Sequence, residues 1–437
     1  MRRVLVLAYY FPPLGGVGAQ RTVKFLKYLA AFGYEATVVT GPAETALDWA
    51  PYDVALERDV PKSAQVVRIG TSAPPRGPTA KRLGRVLGRS TAFETWWRRE
   101  AVAAAREVRS EADLIYASMS PFSTALAAQD IASVARIPWV ADLRDPWALD
   151  DWAVYPTGLH RRLDARRMRA ALANAAAIVM NTREAARALL RSFPELEPSL
   201  VATIPNGWDR DDFAGPAPSR DDDAFRIVYT GYSHAAGGRR HRRLRAPWRL
   251  LGGSTPGIDV LARSHVPLEE ALRRVRQPGR RIELHVAGPA LLDAAGSLVV
   301  DHGYLPHGEA VALMRSADLL YLAMHGLPHG VRTATVPGKT YEYLAAGRPI
   351  LAALPDGDAR DLLAGLPNVR LCEPGDVDCL ARGVAAARAG ELAGAPPAEL
   401  VERFERRELT RRLAEVFDRV LARQEAPATR REVAPRT

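Results

Sequence analysis

The segment VPGKTYEYLAAGRPILAALP, residues 336–355, contains the start of a helix, its end and a buried strand in one short stretch. Pro337 lies where the helix begins, and Gly347 ends it, because glycine readily adopts the left-handed conformation that follows many helices. Pro349 prevents the helix from continuing, and the apolar run at 350–353 is too short for a helix of its own. A helix that leads directly into a buried strand is typical of an α/β fold.

The first turn of this predicted helix carries Lys339 and Glu342. A helix N-terminus has unpaired N–H groups and partial positive charge, so it favours an anion, and Lys339 strengthens that attraction. Glu342 lies three residues further on the same face and opposes it. Two interpretations are open. Either the anion also carries hydroxyl groups from which a carboxylate can accept, or the two side chains form an ordinary helical ion pair of about 0.2–0.5 kcal/mol.

Apolar strands alternate with amphipathic helices along the whole chain, which indicates parallel sheets covered on both faces. We predict an α/β protein with a first doubly wound domain at 1–210 and a second at 211–398, separated by the polar segment 209–223. An amphipathic C-terminal helix pattern, broken once, follows at 399–424, and a disordered tail is predicted at 425–437. The predicted strands are 3–8, 34–40, 113–118, 138–142, 176–181 and 201–207 in the first domain, and 225–231, 280–288, 317–324, 348–354 and 368–373 in the second.

The chain has 437 residues, 47% of them hydrophobic and 25% charged, which is the composition of an ordinary soluble globular protein. The start MRRVLVLAYYF is similar to a signal peptide, but PPLGG follows without a small-residue cleavage pattern, so we predict a first strand. No apolar run approaches the length of a membrane-spanning helix. We therefore expect a cytoplasmic protein. The cysteines, Cys372 and Cys379, fit a reducing compartment, and we expect no disulfide framework.

The net charge of +10, mostly an excess of arginine, favours anionic partners without choosing among nucleic acid, phosphorylated metabolites and an anionic membrane. The densest arginine cluster interrupts the second predicted sheet at 233–257. It is either a solvated insertion loop or a contact with phosphate or an anionic membrane surface. The residues that would make the membrane contact are Arg239, Arg240, Arg242, Arg243, Arg245 and Trp248. Many other arginines lie in ordinary helical patterns such as 161–172, so we predict no nucleic-acid partner.

Loops that follow strands hold the candidate site residues, because open α/β sheets bind ligands at the carboxyl ends of their strands. Gly15 and Gly16 permit close approach of the backbone, and the next helix offers its N-terminus to an anion. Their spacing is not the dinucleotide fingerprint. In the loop DLRDPW, Asp142 and Asp145 flank Arg144. These carboxylates can orient a sugar hydroxyl or accept a proton, or they form a salt-bridged turn.

Motifs for several other chemistries are missing from the sequence. It contains no Ser–His–Asp elbow, no H-E-x-x-H and no Walker phosphate loop. The histidines at 302, 307, 325 and 329 lack the spacing of metal ligands. We therefore predict no metal site.

Taken together, these residues resemble family-four, retaining glycosyltransferases of the GT-B fold. The segments that show the resemblance are YYFPPLGG (9–16), DLRDPW (142–147), IPNGWD (204–209), YTG (229–231) and GKTYEYLAAGRPIL (338–351). The resemblance extends from the first strand to the C-terminal helix. It implies two Rossmann-like domains that face a central cleft and close over a nucleotide-sugar, with the last helix crossing back onto the first domain. The nucleotide-sugar is a co-substrate, and no cofactor is implied.

The resemblance also implies roles for individual residues. Lys339 and Arg263 would hold the diphosphate, and Glu342 would accept hydrogen bonds from the ribose hydroxyls. Gly15 and Gly16 would approach the phosphate or the donor sugar through backbone amides. We predict catalytic roles for Asp142, Asp145, Arg263 and Lys339, and substrate binding by Gly15, Gly16, Arg144, Asn206, Thr230, Gly231 and Glu342. Because the arginine-rich insertion shifts the alignment, Arg239 and Arg240 are alternatives to Arg263.

The sequence departs from the family pattern in two places. Many members carry two glutamates in an E-x(7)-E arrangement; Glu342 matches the second, but the first position is Ala334. The contacts that this protein makes to the donor sugar must therefore differ from those of such family members. Many members also have a histidine in the loop that here reads DLRDPW. Asp142 or Asp145 would have to take its orienting role.

The function implied by the resemblance is metal-independent transfer of a hexosyl group from a nucleoside-diphosphate-sugar to a hydroxyl acceptor, with retention at the anomeric carbon. The acceptor would be a sugar, a lipid-linked sugar or a small metabolite in polysaccharide or glycoconjugate biosynthesis. A lipid-linked acceptor would place the protein at the inner face of the membrane. A pseudo-glycosyltransferase that couples an activated cyclitol to an amine, and a nucleotide-sugar epimerase, are alternatives within the fold. A basic nucleic-acid-binding protein is the alternative from another class.

Overall fold

Two parallel β-sheets form the framework of the protein. The computed structural model describes residues 1–43, 51–70, 91–216, 218–275, 281–288 and 298–425, with the backbone alone for 244–249. Strand order is β3-β2-β1-β4-β5-β6-β7 in the first sheet and β10-β9-β8-β11-β12-β13 in the second. This confirms the predicted fold class of two parallel α/β domains.

The first sheet is buried on both faces. Along β1, Val4 and Val6 belong to the core on one face and Leu5 and Leu7 to the core on the other, as a central parallel strand requires. The strands are β1 (Arg2–Ala8), β2 (Tyr34–Thr40), β3 (Gln65–Arg68), β4 (Leu114–Met119), β5 (Trp139–Leu143), β6 (Ala177–Met180) and β7 (Val201–Thr203). The helices are α1 (Val17–Leu29), α2 (Ala92–Val108), α3 (Ser123–Ala135), α4 (Gly158–Leu172) and α5 (Arg183–Ser192).

The second sheet has the same layered construction. Along β12, Leu351 and Ala353 face one core while Ile350 and Ala352 face the other. The strands are β8 (Phe225–Thr230), β9 (Ile282–Ala287), β10 (Val299–Asp301), β11 (Leu319–Ala323), β12 (Ile350–Ala353) and β13 (Val369–Cys372). The helices are α6 (Ala235–Leu250), α7 (Val266–Val275), α8 (His307–Arg315), α9 (Lys339–Ala346), α10 (Asp358–Leu363), α11 (Val377–Arg388) and α12 (Ala398–Glu402).

The last helix, α13 (Arg406–Glu425), packs against the first sheet although it follows the second in sequence. Leu409, Leu413 and Phe417 are buried in the same core as Val4 and Val6 of β1. The α13 helix therefore links the second half of the chain to the first domain. None of the described helices combines the length and the apolar character that a membrane crossing requires.

The arginine-rich segment is largely helical, so the predicted insertion loop is wrong. Most of the segment forms α6, which packs closely because Gly238 has no side chain: a Cβ there would lie 2.5 Å from the Cα of Leu261. Arg242 donates two hydrogen bonds to the carboxylate of Asp259. The side chains of Arg245 and Trp248 lie outside the described residues. The predicted tail at 425–437 does so too, except for Glu425, which is the last residue of α13.

The cysteines are joined in a disulfide, contrary to the sequence-based expectation. Cys372 ends β13 and Cys379 lies in the first turn of α11, with Cα atoms 5.8 Å apart. Asp376 begins this helix by accepting a hydrogen bond from the backbone N–H of Cys379. The short connection from strand to helix therefore brings the sulfur atoms together, which the spacing of two cysteines alone does not reveal.

Candidate active site

The two sheets direct the carboxyl ends of their strands toward one cavity of about 190 Å³ between the domains. The loop after β1 and the loop after β8 form parts of its wall, as does the first turn of α9. Five residues predicted to belong to the site line it: Gly16, Thr230, Gly231, Lys339 and Glu342. Residues that are far apart in sequence are thus brought together where open α/β sheets bind ligands.

Four helices begin at this cavity. Val17, His307, Lys339 and Arg406 are the first residues of α1, α8, α9 and α13, and all four line the wall. Each helix start directs the positive end of a helix dipole toward the cavity. Some of their N–H groups are already bonded within the protein, that of His307 to Asp53 and that of Arg406 to Trp208. The dipoles still favour an anion in the cavity.

Lys339 adds a side-chain cation to these helix starts. Its Nζ donates a hydrogen bond to the carbonyl oxygen of Thr230 at 2.5 Å and lies 3.6 Å from the ring centroid of Tyr229. Burial lowers the pKa of Lys339 well below its ordinary value, and the charge of Arg263 lowers it further, against an opposing effect of Glu342. An anion in the cavity would supply the counter-charge that the ammonium group needs.

Arg263 lies close to Lys339 but does not line the cavity. Its guanidinium lies 5.0 Å from the ring centroid of Trp152, a residue of the first domain. Its Nη1 is buried and has no hydrogen-bond partner among the described residues. The alternatives to Arg263, Arg239 and Arg240, are exposed on α6. Of these three arginines, Arg263 is therefore the best placed for the predicted contact with the diphosphate.

His307 connects Glu342 to the first domain, and sequence reasoning missed it. Its Nε2 lies 3.0 Å from Oδ2 of Asp212 and 3.6 Å from Oε1 of Glu342. Its Nδ1 is 3.0 Å from Nε2 of Gln20, and its backbone N–H donates to Asp53 at 2.9 Å. Burial raises the pKa of Glu342, although the charge of His307 opposes this. The carboxylate is thus held beside a histidine that contacts both domains.

The stability of the fold is expected to decrease as the pH rises through the titration of His307. Burial favours neutral histidine, but Asp212 and Glu342 outweigh it, so the pKa of His307 is raised above 6.5. A raised pKa in the folded state gives a stabilisation that is complete below the unfolded value, about 6.5, and is lost above the folded value. Urea unfolding of the wild type and His307→Gln between about pH 5.5 and 8.5 would measure it. An identical pH dependence in both proteins would contradict the prediction.

Asp142 is fully buried in an ion pair within the first domain, which argues against its predicted catalytic role. Arg21 and Asp142 are both fully buried and are joined by two hydrogen bonds, of 2.7 and 2.8 Å. The hydroxyl of Tyr116 donates a third bond to Asp142 at 2.6 Å. Arg21 also donates to the carbonyls of Ile204 and Pro205. Asp142 therefore holds Arg21 in place, and Arg21 supports the loop after β7. The carboxylate of Asp142 does not reach the cavity.

Asn206 supports the same loop from inside. It is buried, its Oδ1 accepts from Arg21 at 3.2 Å, and its backbone N–H donates to Asn181 at 2.8 Å. Gly207, the next residue, lines the cavity. Asn206 is thus placed to position the cavity wall, and its direct binding of substrate stays a prediction.

The remaining predicted residues lie at the edge of the site. The side chain of Asp145 is half-exposed and lies 3.4 Å from Arg144, whose guanidinium lies 5.4 Å from the ring centroid of Tyr10. Neither Asp145 nor Arg144 lines the cavity. The backbone N–H of Gly15 donates to the carbonyl of Pro51 at 2.6 Å. This amide is therefore already bonded within the protein, and the contact of Gly15 with substrate stays a prediction. Gly16 lines the cavity directly before α1, with φ of 83°.

Comparison with known proteins agrees with this architecture. Residues 15–207 match the sequence model of the glycosyl transferase 4-like domain. No curated protein is similar enough to the sequence to count as a match. Among solved structures, HepE of Anabaena with bound UDP and glucose aligns at a TM-score of 0.61 and 16% identity, covering 96% of this chain and 100% of that one. Sucrose-phosphate synthase from Thermosynechococcus elongatus aligns at 0.63 and 14%, with 97% and 100% covered.

A third similar structure is that of a protein named as a UDP-N-acetylglucosamine 2-epimerase from Listeria monocytogenes. Its TM-score is 0.54 at 13% identity, covering 99% of each chain. At these identities the three structures establish a shared fold, two parallel-sheet domains around one cleft. Residues 15–207 thus match a glycosyl transferase 4-like domain, and the whole chain shares the two-domain fold of these structures.

Proposed function

We propose that the protein transfers a hexosyl group from a nucleoside-diphosphate-sugar to a hydroxyl acceptor, with retention of anomeric configuration and without a metal ion. The observation that supports this best is the meeting of four helix N-termini and Lys339 in one cavity. A diphosphate is an anion with several acceptor oxygens, so it fits a wall that combines the positive ends of helix dipoles with a cation. The chain's own groups can therefore neutralise the leaving diphosphate.

The same arrangement explains how the reaction is accelerated. As the bond between sugar and diphosphate breaks, negative charge increases on the leaving phosphate oxygens. Helix ends and Lys339, held in place before the reaction, bind that charge more tightly in the transition state than in the ground state. Contacts between the domains, such as those of His307 with Gln20 and Asp53, limit the access of water to the donor.

The similar Anabaena structure holds UDP and glucose, so we propose a uridine donor as the first to test. Thermal unfolding with UDP, GDP, dTDP and ADP should show stabilisation by one of them, about 2.7 kcal/mol at a hundredfold excess over Kd. Proton NMR of the product made from the matching nucleotide-sugar then reports the anomeric configuration. If none of the four nucleoside diphosphates stabilises the fold, the proposed function is wrong.

Substitution of Glu342 is expected to weaken donor binding and to remove discrimination between ribose and deoxyribose. Glu342 faces the cavity, and we assign it the ribose hydroxyls. Losing a hydrogen bond to a charged group costs about 1.5–3 kcal/mol, or roughly ten- to hundredfold in affinity. Calorimetry of Glu342→Gln with UDP and 2′-deoxy-UDP would measure both effects.

Glu309→Gln, an exposed position on α8, is the matched control and should bind like the wild type. If Glu342→Gln keeps the full preference for UDP over 2′-deoxy-UDP, the ribose assignment is incorrect. The same outcome would favour the helical ion pair between Lys339 and Glu342.

Epimerisation of a nucleotide-sugar is the second candidate, because the Listeria protein of that name shares the fold. An epimerase converts UDP-N-acetylglucosamine without any acceptor. A glycosyltransferase leaves the sugar unchanged until an acceptor is added. Incubation of the protein with this nucleotide-sugar alone, followed by NMR, distinguishes the two.

The acceptor, the cytoplasmic location and peripheral contact with an anionic membrane stay predictions of the sequence. The arginines at 239, 240, 242 and 243 are exposed on α6, which is compatible with such a contact. Arg242, however, is engaged by Asp259 and is less available to lipid head groups.

A further inference from the structure

Arg406 is a buried cation in the wall of the cavity that neither sequence analysis nor the proposed mechanism has used. It is the first residue of α13, and only 4% of it is exposed. Its Nη1 is buried and has no hydrogen-bond partner among the described residues. Burying a charged group without a partner is unfavourable, so such a side chain persists where a ligand completes its bonding.

The carboxylates near Arg406 do not fully compensate its positive charge. Burial and the positive charge of Arg21 lower the pKa of Arg406 to about 10. Glu342, Asp209 and Asp212 act in the opposite direction without cancelling these effects. Each of these carboxylates is also close to another cation: Glu342 to His307, and the two aspartates to Lys24. The guanidinium of Arg406 can therefore still bind an anion.

The backbone holds Arg406 at this place. Its N–H donates to the carbonyl of Trp208 at 2.9 Å, and the N–H of Trp208 donates to the carbonyl of Phe404 at 3.0 Å. This close approach requires glycine at 207, because a Cβ there would lie 2.1 Å from the carbonyl oxygen of Phe404. The start of α13 is thus fixed to the end of the first domain, with Gly207 and Arg406 side by side in the cavity wall.

We propose that Arg406 is a further substrate-binding residue, whose guanidinium binds the phosphate oxygens of the nucleotide donor. This inference rests on the proposed function, in which the cavity holds a nucleoside diphosphate. A planar guanidinium can donate two parallel hydrogen bonds to a phosphate, which a lysine cannot. Arg406 and Lys339 approach the cavity from different helices. Because α13 packs on the first sheet, Arg406 also makes diphosphate binding depend on the docking of this helix.

The test compares the affinities of a nucleoside diphosphate and its nucleoside in the full chain. Arg406→Met is expected to weaken UDP binding about ten- to hundredfold, the effect of losing a charge-assisted hydrogen bond. Affinity for uridine, measured by NMR titration, should stay unchanged. The melting temperature without ligand should not fall, because the substitution removes an incompletely paired buried charge. Arg407→Met, at the exposed neighbouring position, is the control and should change neither affinity.

A conservative variant keeps the proposal testable if the methionine variant does not fold. Arg406→Lys retains the charge but not the planar fork, and it is expected to bind UDP less tightly than the wild type but more tightly than Arg406→Met. Wild-type affinity for UDP in either variant would overturn the inference. An equal loss for UDP and uridine would also overturn it, since Arg406 would then act through Glu342 and the ribose.

The failure of this inference can be told apart from the failure of the proposed function. If the wild type binds UDP and Arg406→Met binds it equally well, only the role of Arg406 is wrong. If the wild type binds none of UDP, GDP, dTDP and ADP, both the function and the inference are wrong. If another base is preferred, the same comparison is made with that nucleoside diphosphate and its nucleoside.

Discussion

Replacing Lys339 with methionine is expected to lower turnover by about a hundredfold or more, while the donor is still bound. Lys339 lines the cavity at the first residue of α9, among four helix starts. The charge on the leaving diphosphate increases as the sugar bond breaks, so the ammonium group contributes more to the transition state than to the ground state. Comparison of kcat with the donor Kd would test this, and Arg263→Ala should show the same pattern with a smaller effect.

The proton balance of binding provides a second measurement on Lys339. Its pKa is well below the ordinary value because of burial and Arg263, and a bound diphosphate would raise that pKa. Binding should therefore take up a proton at pH values above the pKa of the free protein. Calorimetry in buffers of different ionisation enthalpy detects this uptake. It should vanish in Lys339→Met and persist in Lys62→Met, an exposed control. Equal losses in kcat and affinity, with unchanged proton uptake, would contradict the catalytic role.

Asp142→Ala is expected to lower the free energy of unfolding by about 3–5 kcal/mol, because it leaves the buried guanidinium of Arg21 without its partner. Turnover per folded molecule should change little, since Asp142 does not reach the cavity. Denaturant unfolding combined with an activity assay would measure both quantities.

Asp130→Ala is the matched control for this substitution. Its bidentate bond with Arg98 is partly exposed, so its loss should cost about 1 kcal/mol or less. If Asp142→Ala were as stable as the wild type but inactive, the original catalytic assignment would be restored and the structural role rejected.

Hydrophobic runs were sufficient to predict most of the sheet framework. Central strands such as β1 are buried on both faces and therefore have continuous apolar sequences, which can be recognised without a structure. The short strands β3 and β10 were missed because they lie at sheet edges and are largely exposed, so they have no such run. The helix α6 was missed because its glycines and arginines are typical of a loop. Gly238 is buried there for close packing, which only the tertiary structure reveals.

The structure brings to one cavity those predicted residues that follow a strand or begin a helix, and it places elsewhere a residue whose position depends on pairing across the fold. Thr230, Lys339 and Glu342 were placed at the cavity by such local patterns. The burial of Asp142 depends on Arg21, which lies 121 positions earlier in another element. His307 was considered only as a metal ligand. Arg406 could have been found by asking where a C-terminal helix that returns to the first domain must begin.

The meeting of four helix starts has a consequence for how this site responds to mutation and to pH. Part of its attraction for anions comes from oriented peptide groups, which neither titrate nor depend on side-chain identity. A variant that lacks both Lys339 and Arg406 should therefore retain weak affinity for a diphosphate. The contribution of the peptide dipoles to that affinity should not change between about pH 5 and pH 9, whereas the titration of His307 and of the diphosphate itself still changes the total. Side chains around the cavity can thus diverge while this minimum affinity for phosphate is conserved by the backbone.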